Sequence, residues 1–293
     1  MTVAGTDDQR AASSVFSRRE RFAIVGSTND VVRDWLLAGV PEVCLATADE
    51  QTAGRGREGR NWFAPPGAAL LLSLGFRPKW LSPDRVWRLA ALVSLAMCEA
   101  AEEVAGLADG TIRLKWPNDL AVEDAGPADP RRGRLRKLAG VLGETDGLGS
   151  ADPRAVIGLG INVDWPAVTF PSELAATMTS LHEVTGGRSI APNDLMDAFT
   201  SRLEGGVARL REDRFQASGW LSRQVTNGRE VRLEHPDGTD ETLSARGVDL
   251  ETGALIVAAP GSGQADRRVV SGEIRHVRLA SADTAAQSPG LGV

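Results

Sequence analysis

The run Gly54-Arg55-Gly56-Arg57-Glu58-Gly59-Arg60-Asn61-Trp62, followed closely by Pro65-Pro66, limits the folds open to this chain more than any other segment. Read as a bare pattern, Gly54, Gly56 and Gly59 satisfy the G-x-G-x-x-G dinucleotide fingerprint. A Rossmann turn, however, must open a helix whose N-terminus meets the pyrophosphate. Here the continuation is N-W-F-A-P-P-G, and the two prolines bar a helix. A Walker A loop fails as well, because no Gly-Lys-Ser/Thr follows. What remains is a flexible loop whose charge sits on long guanidinium arms rather than on backbone N–H groups. Arginine forks suit carboxylate and phosphate oxygens, and the adjacent Trp62 offers a flat face. A site that holds an organic acid against a nucleotide phosphate needs these parts; a solvated basic loop is the plainer alternative.

Composition narrows the setting. The chain has 293 residues and a formal net charge of −6, so it lacks the global basic field of nucleic-acid binders. Local basicity at residues 55–60 and 131–137 against an acidic background favours a focused anion site. No window reaches the roughly 20 apolar residues of a membrane span, and the N-terminus has no signal-peptide pattern. Cys44 and Cys98, the two cysteines, read as small buried hydrophobes in a reducing compartment. A cytoplasmic enzyme without a membrane partner is expected. His182, His235 and His276 are too scattered to suggest a metal cluster.

The chain parses into a polar tail (1–20), a large α+β region (21–226), a small β region (227–281) and a second tail (282–293), the tails being expected to be disordered. Ser27-Thr28-Asn29-Asp30 is a helix-capping cluster ahead of a short helix that Gly39 stops. Residues 43–47 and 69–76 read as the strands entering and leaving the arginine loop. Ser82-Pro83-Asp84 opens a strong helix ending at Gly106. Further strands are predicted over 112–116, 138–142 and 155–163, and a helix over 192–211. After residue 227, short strand candidates separated by Gly-rich turns read as a small SH3-like barrel.

Three more segments carry chemistry. In Lys115-Trp116-Pro117-Asn118-Asp119 the proline ends a strand and projects Asn118 and Asp119 from a fixed corner; an ordinary Pro-Asn-Asp turn is the alternative. In K-L-A-G-V-L-G-E, Lys137 opens a strand, a place where lysines are usually solvated. In Gly158-Leu159-Gly160-Ile161-Asn162 alternate glycines strip one face of a strand, making room for a flat ligand or another backbone.

In this order and company, G-R-G-R-x-G-R-x-W, K-W-P-N-D, K-L-A-G-V-L-x-E and G-x-G-I-N resemble the biotin protein ligases, in the form without an N-terminal DNA-binding domain. The resemblance runs from Ser27 through the C-terminal region. It implies a mixed β-sheet with flanking helices, of the class II synthetase-like type, plus an SH3-like barrel. It also implies ATP and biotin as substrates, Mg²⁺ as cofactor, and a biotin carboxyl carrier domain of a carboxylase as partner. Carried over residue by residue, Ser27, Thr28, Asn29, Gln51, Gly54, Arg55, Lys137, Gly158 and Gly160 would contact biotin. Arg57, Arg60, Trp62, Lys115, Asn118 and Asn162 would hold ATP or the adenylate. Lys137, Arg55 and Asp119 would be catalytic, with Asp119 the candidate Mg²⁺ contact and the candidate base for transfer. Only about 25 residues precede the Ser27 helix, too few for a helix-turn-helix domain, so no nucleic-acid partner is expected. A lipoate or octanoate transferase of the same fold is the alternative; its nucleophilic cysteine would need a polar pocket. Residues 123–136 form a Pro/Gly/Arg-rich insertion that reads as an extended hairpin tip.

Overall fold

The computed structural model describes residues 15–123, 135–259, 265–270 and 276–279. The expected tails at 1–14 and 282–293, and the insertion between 124 and 134, lie outside the described residues. Seven strands form the main sheet: β1 (Arg18–Val25), β2 (Cys44–Gln51), β3 (Ala69–Phe76), β4 (Ile112–Lys115), β5 (Asp119–Glu123), β6 (Leu135–Asp146) and β7 (Arg154–Asn162). Their spatial order is β1-β2-β3-β7-β6-β5-β4. β1 and β2 are parallel, and the remaining neighbours are antiparallel.

The two faces of this sheet differ in side-chain size. Successive residues of a strand alternate in direction, so the A-L-L-L-S-L-G-F of β3 sends Leu70, Leu72, Leu74 and Phe76 one way and Leu71, Ser73 and Gly75 the other. The large residues meet helix α2 (Trp87–Ala105) and helix α4 (Pro192–Arg211) in one core with Leu89, Val93, Met97, Phe199 and Leu203. The opposite face is built from small residues, Cys44, Ala46, Gly75 and Gly158. Helix α1 (Thr28–Leu37) packs there through Val32, Trp35 and Leu36. A Cβ on Gly75 would lie 2.6 Å from Cys44 Sγ and 2.8 Å from Val32, so small residues set how closely α1 approaches.

Most predicted elements appear, several with corrected limits. β1 takes in Arg18, Arg19 and Glu20, which were expected in the N-terminal tail. As an edge strand its charged residues stay solvated, which gives it the composition of a tail. Ser27 occupies the N-cap of α1, but its hydroxyl makes no capping bond. β5 went unread because the corner and the insertion flank only five residues. Glu123 and Arg136, the expected ends of the insertion, pair within β5 and β6. Helices α3 (Leu181–Val184) and α5 (Ala217–Ser222) are too short to show a period.

The C-terminal strands β8 (Glu230–Glu234), β9 (Asp240–Val248), β10 (Leu255–Ala258), β11 (Arg267–Val269) and β12 (His276–Leu279) form an antiparallel sheet in the order β11-β10-β9-β8-β12. The described pairings leave this sheet open. It is not packed independently: Val231, Leu233, Leu243 and Leu255 belong to the same apolar core as α2. Arg223 fixes the junction. It donates to both carboxylate oxygens of Glu102 at 2.8 Å and to Ile112 O at 3.1 Å, while its own carbonyl accepts from Leu114 N at 2.8 Å. Neither charged side chain is more than 6% exposed. No helix among the described residues is long and apolar enough to cross a membrane.

Removing one partner of a buried ion pair strands the other charge, at about 3–5 kcal/mol. Glu102→Ala, which leaves Arg223 only the exposed Asp109 as an acidic partner, is therefore expected to lower urea-unfolding stability by up to about that amount. Glu212→Ala, which breaks an exposed pair with Arg214, is expected to change it by less than about 1 kcal/mol.

Candidate functional site

The small-residue face carries two clusters, one at each end of a short glycine track on β7. At Gly158 the cluster is polar. Asn29, from the first turn of α1, lies directly over Gly158, where any Cβ would strike its Oδ1. Its Oδ1 is 2.5 Å from Ser73 Oγ and its Nδ2 is 2.6 Å from Glu144. Ser73 Oγ is in turn 2.7 Å from Thr28 Oγ1. Gln51 Oε1 accepts from Thr28 N at 2.7 Å. Thr28, Asn29 and Ser73 are all buried. Two residues on from Gly158, roughly 7 Å along the strand, Gly160 carries the indole of Trp62. A Cβ on Gly160 would lie 2.5 Å from Trp62 Cε2, and one on the paired Gly140 would lie 3.1 Å from Trp62 Cζ3. The glycines predicted to make room for a flat ligand thus make room for Asn29 and Trp62 of the chain itself. Trp62 Nε1 is buried without a hydrogen-bond partner among the described residues.

Beside the indole the cluster is charged. Lys137 Nζ is 5.5 Å from the Trp62 ring centroid and 2.6 Å from Asp119 Oδ1. Lys115 Nζ reaches the other oxygen of Asp119 at 3.7 Å. Burial pushes the Asp119 carboxyl up, but Lys137 and Lys115 outweigh it and hold the group below the usual carboxylate value. Burial also pulls the Lys115 ammonium down, against the pull of Asp119. The backbone of Lys137 is fixed on both sides: its N–H donates to Thr177 O at 2.7 Å, and its carbonyl accepts from Thr179 N at 2.8 Å. Asn162 steadies that segment by donating to Thr179 O at 2.9 Å. Asn118 donates its amide to Val141 O at 2.8 Å and so ties the corner to β6. Both asparagines, predicted to meet nucleotide, direct these amide groups at backbone.

The arginine loop is a narrow hairpin rather than an open coil. Gly56 N donates to Arg60 O at 2.7 Å and Trp62 N to Gly54 O at 2.9 Å. A Cβ on Gly54 would lie 2.5 Å from Trp62 O, which explains the glycine there. Arg55 does not reach toward Lys137. Its guanidinium spans both oxygens of Asp30 at 2.8 Å and approaches Glu144 at 3.4 Å, and the Asp30 hydrogen bonds raise its pKa above the ordinary arginine value. The same Arg55 bonds hold the Asp30 carboxyl below its usual value. Burial pulls Arg57 down, and Arg60 lies exposed at the base of the tip. Sequence reasoning missed Ser73, Asp30, Glu144 and Gly140. Ser73 carried a signal, as the one polar residue in an apolar strand.

Residues 22–162, from β1 to the end of β7, match the biotin/lipoate A/B protein ligase family. A biotin--[acetyl-CoA-carboxylase] ligase of Mycobacterium tuberculosis is 30% identical over 277 residues, 93% of this chain and 94% of that protein. The chain belongs to the biotin/lipoate A/B protein ligase family. A bifunctional ligase/repressor of Escherichia coli is 36% identical over 243 residues, covering 81% of this chain and 68% of that one. Among solved structures, the biotin protein ligase from Aquifex aeolicus in complex with biotin and ATP aligns with a TM-score of 0.71 at 25% identity. That alignment covers 90% of this chain and 100% of the other. The family match contains both clusters, but not the 177–179 segment that fixes Lys137.

Gly160→Ala drives a methyl into the Trp62 indole and is expected to cost about 1–3 kcal/mol, as overpacking does. In a Trp62→Ala background the same substitution should cost almost nothing. Equal losses in the two backgrounds, measured by chemical denaturation, would show that Trp62 does not rest on Gly160.

Proposed function

We infer that this protein is a biotin–protein ligase. It joins biotin to ATP, forming biotinyl-5′-AMP and releasing pyrophosphate, and then passes the biotinyl group to a lysine of a biotin carboxyl carrier domain. One observation carries the reading. A buried polar cluster suited to a neutral ring lies, along a single strand, next to a lysine pair whose carboxylate partner and backbone clamps are already in place. An acid with a polar ring at one end and a carboxylate at the other matches that spacing of chemistry.

In the first step an oxygen of the biotin carboxylate attacks the α-phosphorus of ATP, and the bond to pyrophosphate breaks. Both reactants are anionic, so their approach needs fixed cations. Lys137 is proposed to sit between the two and to stabilise charge on the phosphoryl oxygens. Arg57 and Arg60 are proposed to meet the triphosphate, and Trp62 to pack on the adenine. Arg55, expected in the catalytic set, is proposed instead to tie the loop to α1 through Asp30. In the second step the acceptor amine attacks the acyl carbon, AMP leaves with the bonding pair, and the amine loses a proton. Asp119, the expected base, is a weak proton acceptor while two lysines hold its pKa down. Its proposed part is to aim Lys137.

Mg²⁺ is expected to accompany ATP. The described residues, however, offer no group of three or more His, Cys, Asp or Glu side chains able to hold it, and Asp119 is engaged by two ammonium groups. We therefore assign no step to the metal. The thiol alternative finds no support in the cysteines. Both are buried, and burial pushes the Cys44 thiol up to about 11 and Cys98 higher still. The proposed division is a catalytic domain over 21–226, extended back to the start of β1 at Arg18, and a C-terminal module over 227–281. The meander of short strands supports an SH3-like fold for that module. A cytoplasmic site of action fits the proposed carrier partner.

Pyrophosphate exchange into ATP tests this directly. Exchange is expected with biotin and not with lipoate or octanoate. Lys137→Ala should reduce it about 10²–10³-fold in protein that still folds by circular dichroism, with a melting temperature lowered by the loss of the pair with Asp119. Exchange supported equally by lipoate would overturn the reading, and near-normal exchange in the variant would remove Lys137 from the chemistry.

A further inference from the structure

A half-buried carboxylate at the outer end of the polar cluster sets the direction of the protons within it. Glu144 Oε2 accepts from Asn29 Nδ2 at 2.6 Å and from Arg55 at 3.4 Å, and forms an ion pair with Arg33 at 2.9 Å. A carboxylate between guanidinium groups accepts and does not donate. Asn29 must therefore turn its NH₂ toward Glu144 and its Oδ1 toward Ser73. Ser73 Oγ lies 2.5 Å from that oxygen, so its single hydroxyl proton goes to Asn29. At its 2.7 Å contact with Thr28 Oγ1, Ser73 is then left to accept, and the Thr28 proton fills the contact. Thr28 Oγ1 keeps lone pairs alone. Two hydroxyl protons serve three oxygen–oxygen contacts, and the longest, 3.0 Å from Thr28 Oγ1 to Gln51 Oε1, is the one that gives up its proton; Gln51 Oε1 still accepts from the Thr28 backbone N–H at 2.7 Å, which leaves Gln51 Nε2 to donate. That nitrogen faces Gly54, where a Cβ would lie 3.3 Å from it.

Thr28, Asn29 and Ser73 are 2%, 4% and 0% exposed, so water is not at hand to reset the order. We propose that Glu144 is a positioning residue for ring recognition: through Asn29 and Ser73 it orders the protons so that Thr28 Oγ1 accepts while Gln51 Nε2 donates. An acceptor beside a donor complements the N–H and C=O of a cyclic urea, so the proposal rests on the biotin reading above. Asn29, predicted to touch biotin, acts through Ser73, because both ends of its amide are used inside the cluster. Gly158 is needed to seat that amide.

The test is a cycle on the full chain: wild type, Glu144→Ala, which leaves Asn29 Nδ2 without its acceptor, Ser73→Ala and the double variant, with biotin affinity by calorimetry and the ATP KM from pyrophosphate exchange. Each single variant should weaken biotin about tenfold or more, the loss expected when a buried hydrogen-bonded partner is removed. The ATP KM should stay within about twofold, and the double variant should bind no worse than about threefold below the weaker single, because both changes break one chain. Losses that multiply would overturn the proposal. Arg33→Gln, which removes a cation from Glu144 and leaves the relay alone, should keep biotin affinity within about twofold. A tenfold loss there would mean that Glu144 acts through its cations, and would sink the relay. If Glu144→Ala fails to fold, Ser73→Ala decides alone: unchanged affinity overturns the proposal and a tenfold loss upholds it. A folded wild type that takes up no biotin overturns the functional reading and the relay with it. A wild type that binds, with variants that bind equally well, overturns the relay alone.

Discussion

The missing side chains at Gly140, Gly158 and Gly160 are the constraint on which the site depends. Two paired strands at the centre of a sheet would ordinarily fill both faces with branched residues. Here one face stays bare, so a helix amide and an indole lie almost in contact with the backbone. Asn29 reaches the sheet only because Gly158 has no Cβ, and Trp62 only because Gly160 and Gly140 have none. The large residues on the other face make this affordable in energy. Their burial against α2 and α4 holds the strands in register whether or not the bare face is filled.

Charge placement follows a similar economy. The chain is acidic overall, yet the cations of the candidate site are held by a few carboxylates placed for the purpose. Asp30 and Glu144 take Arg33 and Arg55, while Asp119 takes Lys115 and Lys137. The first pair of acids anchors a loop. Asp119 holds ammonium groups beside the half-buried Trp62 indole, where an incoming anion would gain more from them than it would in water. Arg57 opens the short turn at the tip of the hairpin, and Arg60 Nε donates to its carbonyl at 3.2 Å.

The corner that carries Lys115 and Asp119 is braced from behind by the C-terminal part of the chain. Trp116, whose neighbours face the site, donates from its backbone N to Thr226 Oγ1 and from its indole to Gly253 O, both at 3.0 Å. Arg229 grips Glu123 at the far end of β5 with two 2.9 Å bonds. A small sheet without site residues of its own can therefore influence the geometry of the lysine pair.

Much of this was legible in the chain. Pro65-Pro66 excluded the dinucleotide folds, the period of residues 83–106 gave α2, and the four motifs in succession marked the family and brought Lys137, Asp119 and Trp62 into one site. Local rules suffice there, since a proline, a helical period and a motif each act within a few residues. The sequence could not say what Arg55 would do, because a guanidinium takes the nearest carboxylates, and Asp30 and Glu144 come close only when α1 and β6 lie on the same face. Nor could it say that the glycine track is covered by Asn29 and Trp62, or that Asn118 and Asn162 bond to backbone. Those outcomes depend on which distant groups meet in space, and that is fixed by sheet order and by the side-chain volumes between the layers.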